Sequence, residues 1–446
     1  MNETKNEQPQ PAPQNKLDTM FESWLTGQRL NFISPEAEKD YRDRVMMIKD
    51  VVQLKLPERI PIYANVNFFP AYYAGITTRE AMYDYDKLIS AWKKYTFDLQ
   101  PDVHGGAATP GAGKAFEILD YSLYLWPGHG TSPDSPYQCV EKEYMFADEY
   151  DALIRDPSDF MMRKYTSRIF GKLKGFERLI SYGSLLQMPF TSSWIASFGR
   201  PDMKEALESL IAAGEEAVRW RKAVSECNRQ LTEGGYPLIS GGSTLSPYDA
   251  IADTFRGTRG VVNDIYRRPD KLLEAMDRMT SMLVELGAES ARVIGRPLIF
   301  IPLHKGADAF MSDAHFKKFY WPSLKKMIEM FVDQGLVPFL FAEGGYNSRL
   351  DIIGDIPVGK TIWHFDQTDM ARAKDALGGI ACIAGNVPVS LLNTGTPAEV
   401  EAYCKTLIDT AGKGGGYIMT SGGVIDKARP ENVRTMMQFT KQYGRY

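Results

Sequence analysis

Glu343 is the residue whose surroundings most strongly suggest chemistry. It ends an apolar run in the segment PFLFAEGGYNSR, and the two glycines after it allow the backbone to approach a ligand closely. His364 ends the next apolar run along the chain. Glutamate oxygen and imidazole nitrogen are common zinc ligands, so the two side chains predict a zinc site if both face inward. A third ligand is not evident.

Both residues also have ordinary interpretations. Glu343 fits a surface carboxylate or a salt-bridge partner of Arg349, and His364 fits a core imidazole whose hydrogen bonds are made to the backbone. Asp366 shares a strand face with His364, where it would orient the imidazole or bind the metal itself. We therefore count Asp366 among the candidate catalytic residues.

A cationic pair, His304 and Lys305, follows the apolar run of residues 297–303. Such a pair would bind an anionic group or hold an oxygen atom that leaves during a reaction. A salt bridge at a helix cap, involving Asp308, explains the same residues equally well. We predict that His304 and Lys305 are catalytic.

Six further residues are candidates for binding a substrate. Asn65 and Asn67 are two positions apart on one predicted strand and share a face near its end, although turn-forming asparagines would give the same pattern. His104 ends the second predicted strand. The set is completed by Phe68, Tyr346 and Asn386.

Short apolar runs rich in Ile, Val and Phe, separated by helical patterns, must position these residues. Such runs are typical of buried parallel strands. We identify eight, at residues 59–69, 101–106, 238–245, 297–303, 337–342, 361–364, 379–384 and 416–421. Polar residues at the carboxyl ends of such strands indicate an α/β fold, the (β/α)₈ TIM barrel with its active site at that end. A ninth strand at residues 184–189 is an alternative.

The rest of the chain surrounds this predicted barrel. Ser34 and Pro35 predict the start of a helix that runs to about Val52, so the barrel has an N-terminal helical extension. Residues 107–235 are too many for a loop and predict a long helical insertion between strands two and three. We expect one domain over residues 17–446, preceded by a disordered tail at residues 1–16, which are polar and rich in Pro and Gln.

Composition excludes several classes of protein. The 446 residues are 44% hydrophobic and 24% charged, which is ordinary for a globular protein with a sizeable core. A net charge of −4 gives no footprint for nucleic acid, and no apolar run approaches the roughly 20 residues that cross a bilayer, so we expect neither partner. The N-terminus lacks a signal sequence and the four cysteines form no CxxC motif, which predicts a cytoplasmic protein with reduced thiols.

Most catalytic motifs are absent from the chain. It lacks GxGxxG after a strand, GxxxxGK[ST], HExxH and GxSxG. Residues 102–107, DVHGGA, begin like the corrinoid-binding motif DxHxxG, but Ala107 replaces the final glycine. We therefore expect no corrinoid on this chain itself.

Four segments, FLFAEGG, FDQTDMARAK, AGNVPVSLL and GTPAEV, resemble the uroporphyrinogen decarboxylase superfamily. The resemblance extends from about Arg59 to the C-terminus. That superfamily contains porphyrinogen decarboxylases and zinc-dependent methyltransferases that move a methyl group to or from a separate corrinoid protein. Its decarboxylases hold an eight-carboxylate substrate through arginines in a motif like MRQAGRYLPEY. Residues 63–69, YANVNFF, carry no arginine there, which disfavours that substrate.

The same resemblance separates two kinds of methyltransferase. Those that use free thiols have His-x-Cys-Gly after strand five and another cysteine near strand eight, whereas residues 341–344 are FAEG and residues 421–423 are SGG here. Glu343 stands where the first cysteine ligand stands, which implies a metal role in oxygen form. The O-demethylating methyltransferases are therefore the better match.

We hypothesise a methyltransferase that demethylates a methyl ether, expected to be a methoxylated aromatic, and passes the methyl group to cob(I)alamin on a separate corrinoid protein. Zinc held by Glu343 and His364 would polarise the ether oxygen, and His304 or Lys305 would support the leaving oxygen. The ring would be held by Phe68, Phe69, Tyr72 and Trp363.

Two alternatives remain open at this point. One is a metal-independent decarboxylase of a smaller substrate, and the other is a barrel protein that binds without catalysis. The sequence leaves the oligomeric state open, with a homodimer among the states that it allows.

Overall fold

A closed barrel of parallel strands forms the centre of the computed structural model, which describes residues 16–27 and 30–446. Six strands are hydrogen-bonded in chain order: Gly242–Ser243, Leu298–Leu303, Val337–Ala342, Ile362–Phe365, Cys382–Ala384 and Tyr417–Ile418. Two earlier segments complete the ring through parallel bridges that join Ile62 to Met419, Tyr63 to Val103, and His104 to Leu238. All eight predicted strand positions are therefore occupied, and the (β/α)₈ TIM barrel is confirmed.

Helices connect the strands and cover the outside of the barrel. The α-helices in the described part of the chain are Lys16–Thr26, Pro35–Val52, Phe69–Ala74, Thr78–Tyr83, Tyr85–Leu99, Gly113–Leu119, Tyr150–Arg155, Pro157–Phe160, Thr166–Ile169, Met188–Phe198, Pro201–Glu233, Pro247–Asp249, Gly257–Arg267, Pro269–Ile294, Asp313–His315, Trp321–Asp333, Leu350–Ile353, Met370–Leu377, Val389–Thr394, Pro397–Leu407 and Pro430–Tyr443. Shorter 3₁₀ or π-helical turns are Met161–Tyr165, Gly171–Arg178, Tyr182–Leu186, Ala250–Arg256, Phe316–Tyr320 and Ile408–Gly412. None of the described helices combines the length and the apolar character that crossing a membrane requires.

The first two helices close the amino-terminal end of the barrel. As predicted, Ser34 caps the helix Pro35–Val52 by accepting a backbone hydrogen bond at 3.1 Å. Apolar side chains of this helix and of Lys16–Thr26 pack in one cluster with Leu298 and Val337, which lie at the starts of their strands. Burial of each large apolar side chain contributes about 1.5–3 kcal/mol. The packed cluster fills the amino-terminal end of the barrel. Substrate access is left to the carboxyl end, as in other TIM barrels.

Residues 107–235, between the second and third strands, contain both helices and a small sheet. The helix Pro201–Glu233 is the longest helix of the predicted helical insertion. The sequence did not predict the sheet, whose strands are Tyr124–Pro127, Gly130–Thr131 and Gln138–Cys139.

Two other predictions concern a ninth strand and the N-terminal tail. The alternative ninth strand at residues 184–189 is wrong, because Tyr182–Leu186 forms a 3₁₀ turn and Met188–Phe198 a helix. Apart from Lys16, which begins the first helix, the predicted disordered tail lies outside the described residues.

Candidate active site at the carboxyl end of the barrel

Glu343 and Asp366 lie in the same layer at the carboxyl end of the barrel. The strand register pairs Phe341 with His364, so the residues two positions further along each strand, Glu343 and Asp366, form the next inward-facing layer. An oxygen of Asp366 accepts a hydrogen bond from the backbone N–H of Gly344 at 3.0 Å. Burial raises the pKa of Asp366. Two carboxyl groups from neighbouring strands therefore belong to the barrel mouth.

His304 joins this layer from the fourth strand. Its Nδ1 lies 2.5 Å from Oδ2 of Asp253, and its Nε2 lies 3.8 Å from Oε1 of Glu343. Burial alone would lower the pKa of His304, but the hydrogen bond with Asp253 and the charges of Asp249 and Glu343 outweigh burial and raise that pKa to about 9. The imidazole is therefore a cation at neutral pH, with its Nε2–H on the side of Glu343.

Glu343 is the more accessible member of this pair, with 41% of its side chain exposed. Loss of surrounding water raises the pKa of Glu343; the His304 cation opposes this shift, and the charges of Asp249 and Asp366 add to it. A carboxyl group with a raised pKa beside an imidazolium suits proton transfer. The alternative salt bridge to Arg349 is not formed, because the buried Arg349 pairs with Asp313 and Asp308 instead.

Asp249 is a functional candidate that sequence reasoning missed. It is fully buried, and its oxygens accept hydrogen bonds from the backbone N–H groups of His304 at 3.2 Å and Lys305 at 2.9 Å. The hydroxyls of Tyr320 and Ser246 donate to it at 2.6 and 2.8 Å. Burial, helped by the charge of Asp253, raises the pKa of Asp249 to about 6. Asp249 thus fixes the loop that carries His304.

The sequence does contain a signal for Asp249 and Asp253. The segment SPYDAIAD follows the third strand directly and has a serine cap, a proline and two aspartates four positions apart. Residues four apart share one face of a helical turn, so both carboxyl groups point to the same side. Polar residues just after a barrel strand are typical of an active site at the carboxyl end of the barrel, so these two carboxylates were detectable as candidates.

Lys305 is tied down by three partners. Its Nζ lies 3.3 Å from a Glu141 oxygen and 3.5 Å from Asp253, and it donates to the hydroxyl of Thr258 at 2.9 Å. Glu141 lies beyond strand two, so this contact joins residues 107–235 to the barrel mouth. Lys305 therefore holds the segments around the mouth together. His304 is the cation whose Nε2–H faces the space beside Glu343.

The structure does not bring Glu343 and His364 together. Phe341, not Glu343, is the register partner of His364, and the two rings stack with centroids 4.4 Å apart. His364 is fully buried, and its Nε2–H donates to the backbone oxygen of Ser421 at 2.7 Å. Burial lowers the pKa of His364 to about 4, so it is a neutral core imidazole, and its buried Nδ1 has no hydrogen-bond partner.

This arrangement does not fit the predicted zinc pair. Within residues 16–27 and 30–446, no three or more His, Cys, Asp or Glu side chains are arranged to hold a metal ion. The layer offset of about 6.6 Å between residues two apart on a strand separates Glu343 from His364.

Asn65 and Asn67 share the inward face of the first strand, as predicted. Both are nearly buried, with 5% and 6% exposure. The hydroxyl of Tyr63 donates to Oδ1 of Asn65 at 3.2 Å, while Nδ2 of Asn65 and Oδ1 of Asn67 have no hydrogen-bond partner. A buried amide donor and a buried amide acceptor are thus left for a ligand.

The substrate-binding prediction for His104 needs correction. Val103 belongs to the cluster inside the barrel, so strand alternation places His104 on the outer face. Its Nδ1 accepts the backbone N–H of Gly106 at 3.1 Å. Burial and the charge of Arg296 lower the pKa of His104 to about 3. His104 is a neutral residue of the barrel wall.

Tyr346 supports the wall, whereas Asn386 lines a surface cavity together with Asp366. Tyr346 is fully buried, and its hydroxyl donates to the backbone oxygen of Leu303 at 3.4 Å. The Asn386 amide donates to the carbonyl oxygens of Asp366 at 3.0 Å and Thr368 at 2.7 Å. Asn386 therefore positions the loop that carries Asp366.

The predicted aromatic set divides in two. Phe68 is buried in a cluster with Met82 and Trp126 beside the mouth. Trp363 lies on the outer face of its strand and packs against Trp321, with ring centroids 6.5 Å apart, so it cannot contact a substrate inside the barrel. Phe69 is likewise a core residue of the barrel's outer layer.

Comparison with known proteins adds three findings. The sequence model described as Uroporphyrinogen decarboxylase (URO-D) matches residues 200–443. Uroporphyrinogen decarboxylase of Sodalis glossinidius (strain morsitans) is 25% identical over 211 residues, which are 45% of this chain and only 57% of that relative's length. A solved structure of a methyltransferase from Methanosarcina mazei aligns with a TM-score of 0.56 at 13% identity, over 91% of this chain and 98% of that one. The structural likeness supports the fold.

Proposed function

This chain belongs to the uroporphyrinogen decarboxylase family, and from that premise we propose that it removes the methyl group of an aryl methyl ether and passes it to a separate corrinoid protein. The observation that supports the proposal is the imidazolium of His304, held by Asp253 and facing Glu343 at the barrel mouth. Breaking an ether bond requires an acid at the leaving oxygen. His304 supplies one.

The reaction balances with groups of this chain and one co-substrate. The partner's reduced corrinoid supplies the nucleophile that takes the methyl group. As the C–O bond breaks, its electron pair stays on the oxygen, and the Nε2–H proton of His304 moves to that oxygen. The product is a phenol, and neutral His304 regains a proton from water. Asp253 stabilises the imidazolium before transfer, and Asp249 keeps the His304 loop in place.

Matching of proton affinities favours an aryl ether over an alkyl ether. The pKa of His304 is raised to about 9, and a phenol like that of tyrosine has a pKa of about 10. Transfer from His304 to a phenoxide is therefore nearly balanced, as efficient acid catalysis requires. An alkoxide resembles hydroxide from water, whose pKa is about 15.7.

The charge of the mouth opposes the family's decarboxylase activity. Four carboxyl groups, those of Asp249, Asp253, Glu343 and Asp366, surround one imidazolium there, and Lys305 already has acidic partners. A substrate with several carboxylates would place unpaired like charges in this site. Because part of the chain is similar to the Sodalis decarboxylase, decarboxylation of a smaller substrate is the rival activity.

Incubation with free cob(I)alamin and a panel of methoxylated benzenes tests the proposal. We expect the methylcobalamin spectrum to develop and an equal amount of phenol to accumulate. Two incubations provide the controls. One contains no methoxy compound, and the other contains benzene carboxylates in place of the methoxylated benzenes. Release of CO₂ without methyl transfer would establish the rival, and no turnover with any compound would contradict both activities.

Zinc at Glu343 and His364 stays a prediction, and metal analysis tests it separately. Because the register separates the two side chains, we expect the zinc content per chain of Glu343→Ala and His364→Ala to equal that of the wild type. His315→Gln, which changes a histidine packed against Tyr266 away from the site, is the matched control. Loss of zinc in Glu343→Ala and His364→Ala, but not in His315→Gln, would support the predicted zinc pair.

The proposal also covers the partner and the compartment. The corrinoid protein would dock over the mouth and contact residues 107–235. This segment reaches the mouth through the salt bridge between Glu141 and Lys305. We place the reaction in the cytoplasm, and the absence of any disulfide among the four cysteines supports this.

A further inference from the structure

An uncharged aromatic cavity lies in the segment between the second and third barrel strands. Its volume is about 170 Å³, and five of its lining residues are aromatic: Phe116, Tyr121, Tyr124, Trp126 and Tyr137. None of its lining residues is charged. An apolar cavity of about 150 Å³ accommodates a benzene molecule, so this volume suits one six-membered ring with a small substituent.

The aromatic walls hold one another in place. The rings of Tyr124 and Tyr137 meet edge to face at 5.7 Å, and Tyr121 packs against Phe116 at 5.2 Å. The indole Nε1–H of Trp126 donates to the hydroxyl of Tyr83 at 3.0 Å, which fixes the indole plane. A cavity with such interlocked walls is formed before a ligand arrives and loses little entropy on binding.

The cavity adjoins the barrel mouth on two sides. On one side, Phe68, which follows the first strand, packs edge to face on Tyr137 at 5.7 Å. On the other side, Tyr124 pairs with Cys139 in the small sheet, two residues before Glu141, whose carboxylate lies 3.3 Å from Lys305 Nζ. These contacts connect the cavity walls to the ends of strands one and four, and His304 directly follows strand four.

We propose that this cavity binds the aromatic ring of the methyl donor and places its methoxy group toward His304. The assignment rests on the proposed function and revises the ring pocket predicted from Phe68, Phe69, Tyr72 and Trp363, of which Phe68 and Tyr72 pack with the cavity aromatics. Rings pack favourably edge to face and offset against aromatic walls, as these walls already do with one another. The lack of any lining carboxylate favours a neutral ring over a quaternary ammonium ion.

Binding measured by calorimetry without any corrinoid tests the cavity on its own. The probes are methoxybenzene, its saturated analogue methoxycyclohexane and tetramethylammonium. For the wild type we expect methoxybenzene to bind about tenfold more tightly than methoxycyclohexane, and tetramethylammonium to bind more weakly still. Equal affinity for the two ethers, or tightest binding of tetramethylammonium, would overturn the assignment.

Variants of Tyr124 give the matched comparison. Tyr124→Leu removes the ring and is expected to weaken methoxybenzene about tenfold, whereas Tyr124→Phe keeps the ring and the affinity. Tyr182→Leu, at an exposed tyrosine of the same segment that contacts Trp194, should bind like the wild type. Circular dichroism confirms that each variant is folded. Unchanged binding by Tyr124→Leu would contradict the cavity assignment.

The outcomes separate this inference from the proposed function. Ring-selective binding without methyl transfer would support the cavity and contradict the methyltransferase. Methyl transfer that Tyr124→Leu leaves unchanged would support the methyltransferase and contradict the cavity.

Discussion

Replacing His304 by glutamine is expected to lower the rate of methyl transfer from a methoxylated benzene by about 10²–10⁴-fold. Glutamine can still donate a hydrogen bond, but it cannot give a proton to the leaving oxygen. The loss should fall on kcat rather than on KM, because proton transfer occurs as the bond breaks. Initial rates of methylcobalamin formation, measured spectrophotometrically at neutral pH, provide the comparison.

The pH dependence of the wild type follows from the same residue. The acidic form of His304 is present below its raised pKa of about 9, so the rate should hold to about pH 8 and fall as the pH rises through about 9. Asp253→Asn removes the carboxylate that raises this pKa, so the falling limb should move toward the ordinary histidine value of about 6.5. The limb should be absent in His304→Gln.

His315→Gln is the control for both measurements. His315 packs against Tyr266 and Phe319 and takes no part in the mouth cluster, so its loss should leave the rate and the falling limb unchanged. A wild-type rate in His304→Gln, or an unmoved limb in Asp253→Asn, would remove His304 as the acid.

The barrel was predictable because each strand carries its own signal. A run such as residues 337–342, VPFLFA, is buried on both faces, and such runs are typical of parallel sheets. Polar residues at the strand ends then gave Glu343, His304 and Asp366 correctly as neighbours of the mouth. The β-bridges that close the barrel were predictable only from the count of eight strands, because no single residue indicates them.

The zinc pair shows what strand ends alone do not reveal. Glu343 and His364 both end apolar runs, but the register pairs His364 with Phe341, so His364 lies one layer deeper than Glu343. The relative shift of two strands depends on how the whole barrel tilts and closes. Sequence therefore identified the face but not the layer.

The aromatic cavity illustrates a different limit. Its rings come from residues 116–137, and no period or motif in that segment distinguishes cavity walls from ordinary core. Only the small sheet, which sets Tyr124 beside Tyr137, brings the rings around one space. Such packing depends on contacts between distant segments, including Phe68 of the first strand end.

Asp249→Ala is expected to be the most damaging substitution for both stability and activity. Alanine would leave the backbone N–H groups of His304 and Lys305 and the hydroxyl of Tyr320 without their acceptor. Each buried donor without a partner costs about 1–3 kcal/mol, so the loss of the acceptor for these three donors should lower the free energy of unfolding by about 3–9 kcal/mol. Urea denaturation followed by circular dichroism measures this change.

Activity should fall in Asp249→Ala because the His304 loop loses its support, and the falling pH limb should move below 9 because the charge of Asp249 helps raise the pKa of His304. Asp249→Asn keeps the volume and one acceptor oxygen, so it should fold and show the same pH shift with a smaller loss of stability. Ser246→Ala is the matched control, since it removes a helix cap worth about 1 kcal/mol but leaves both loop hydrogen bonds to Asp249 in place. A pH limb in Asp249→Asn identical to that of Ser246→Ala would show that Asp249 serves stability alone.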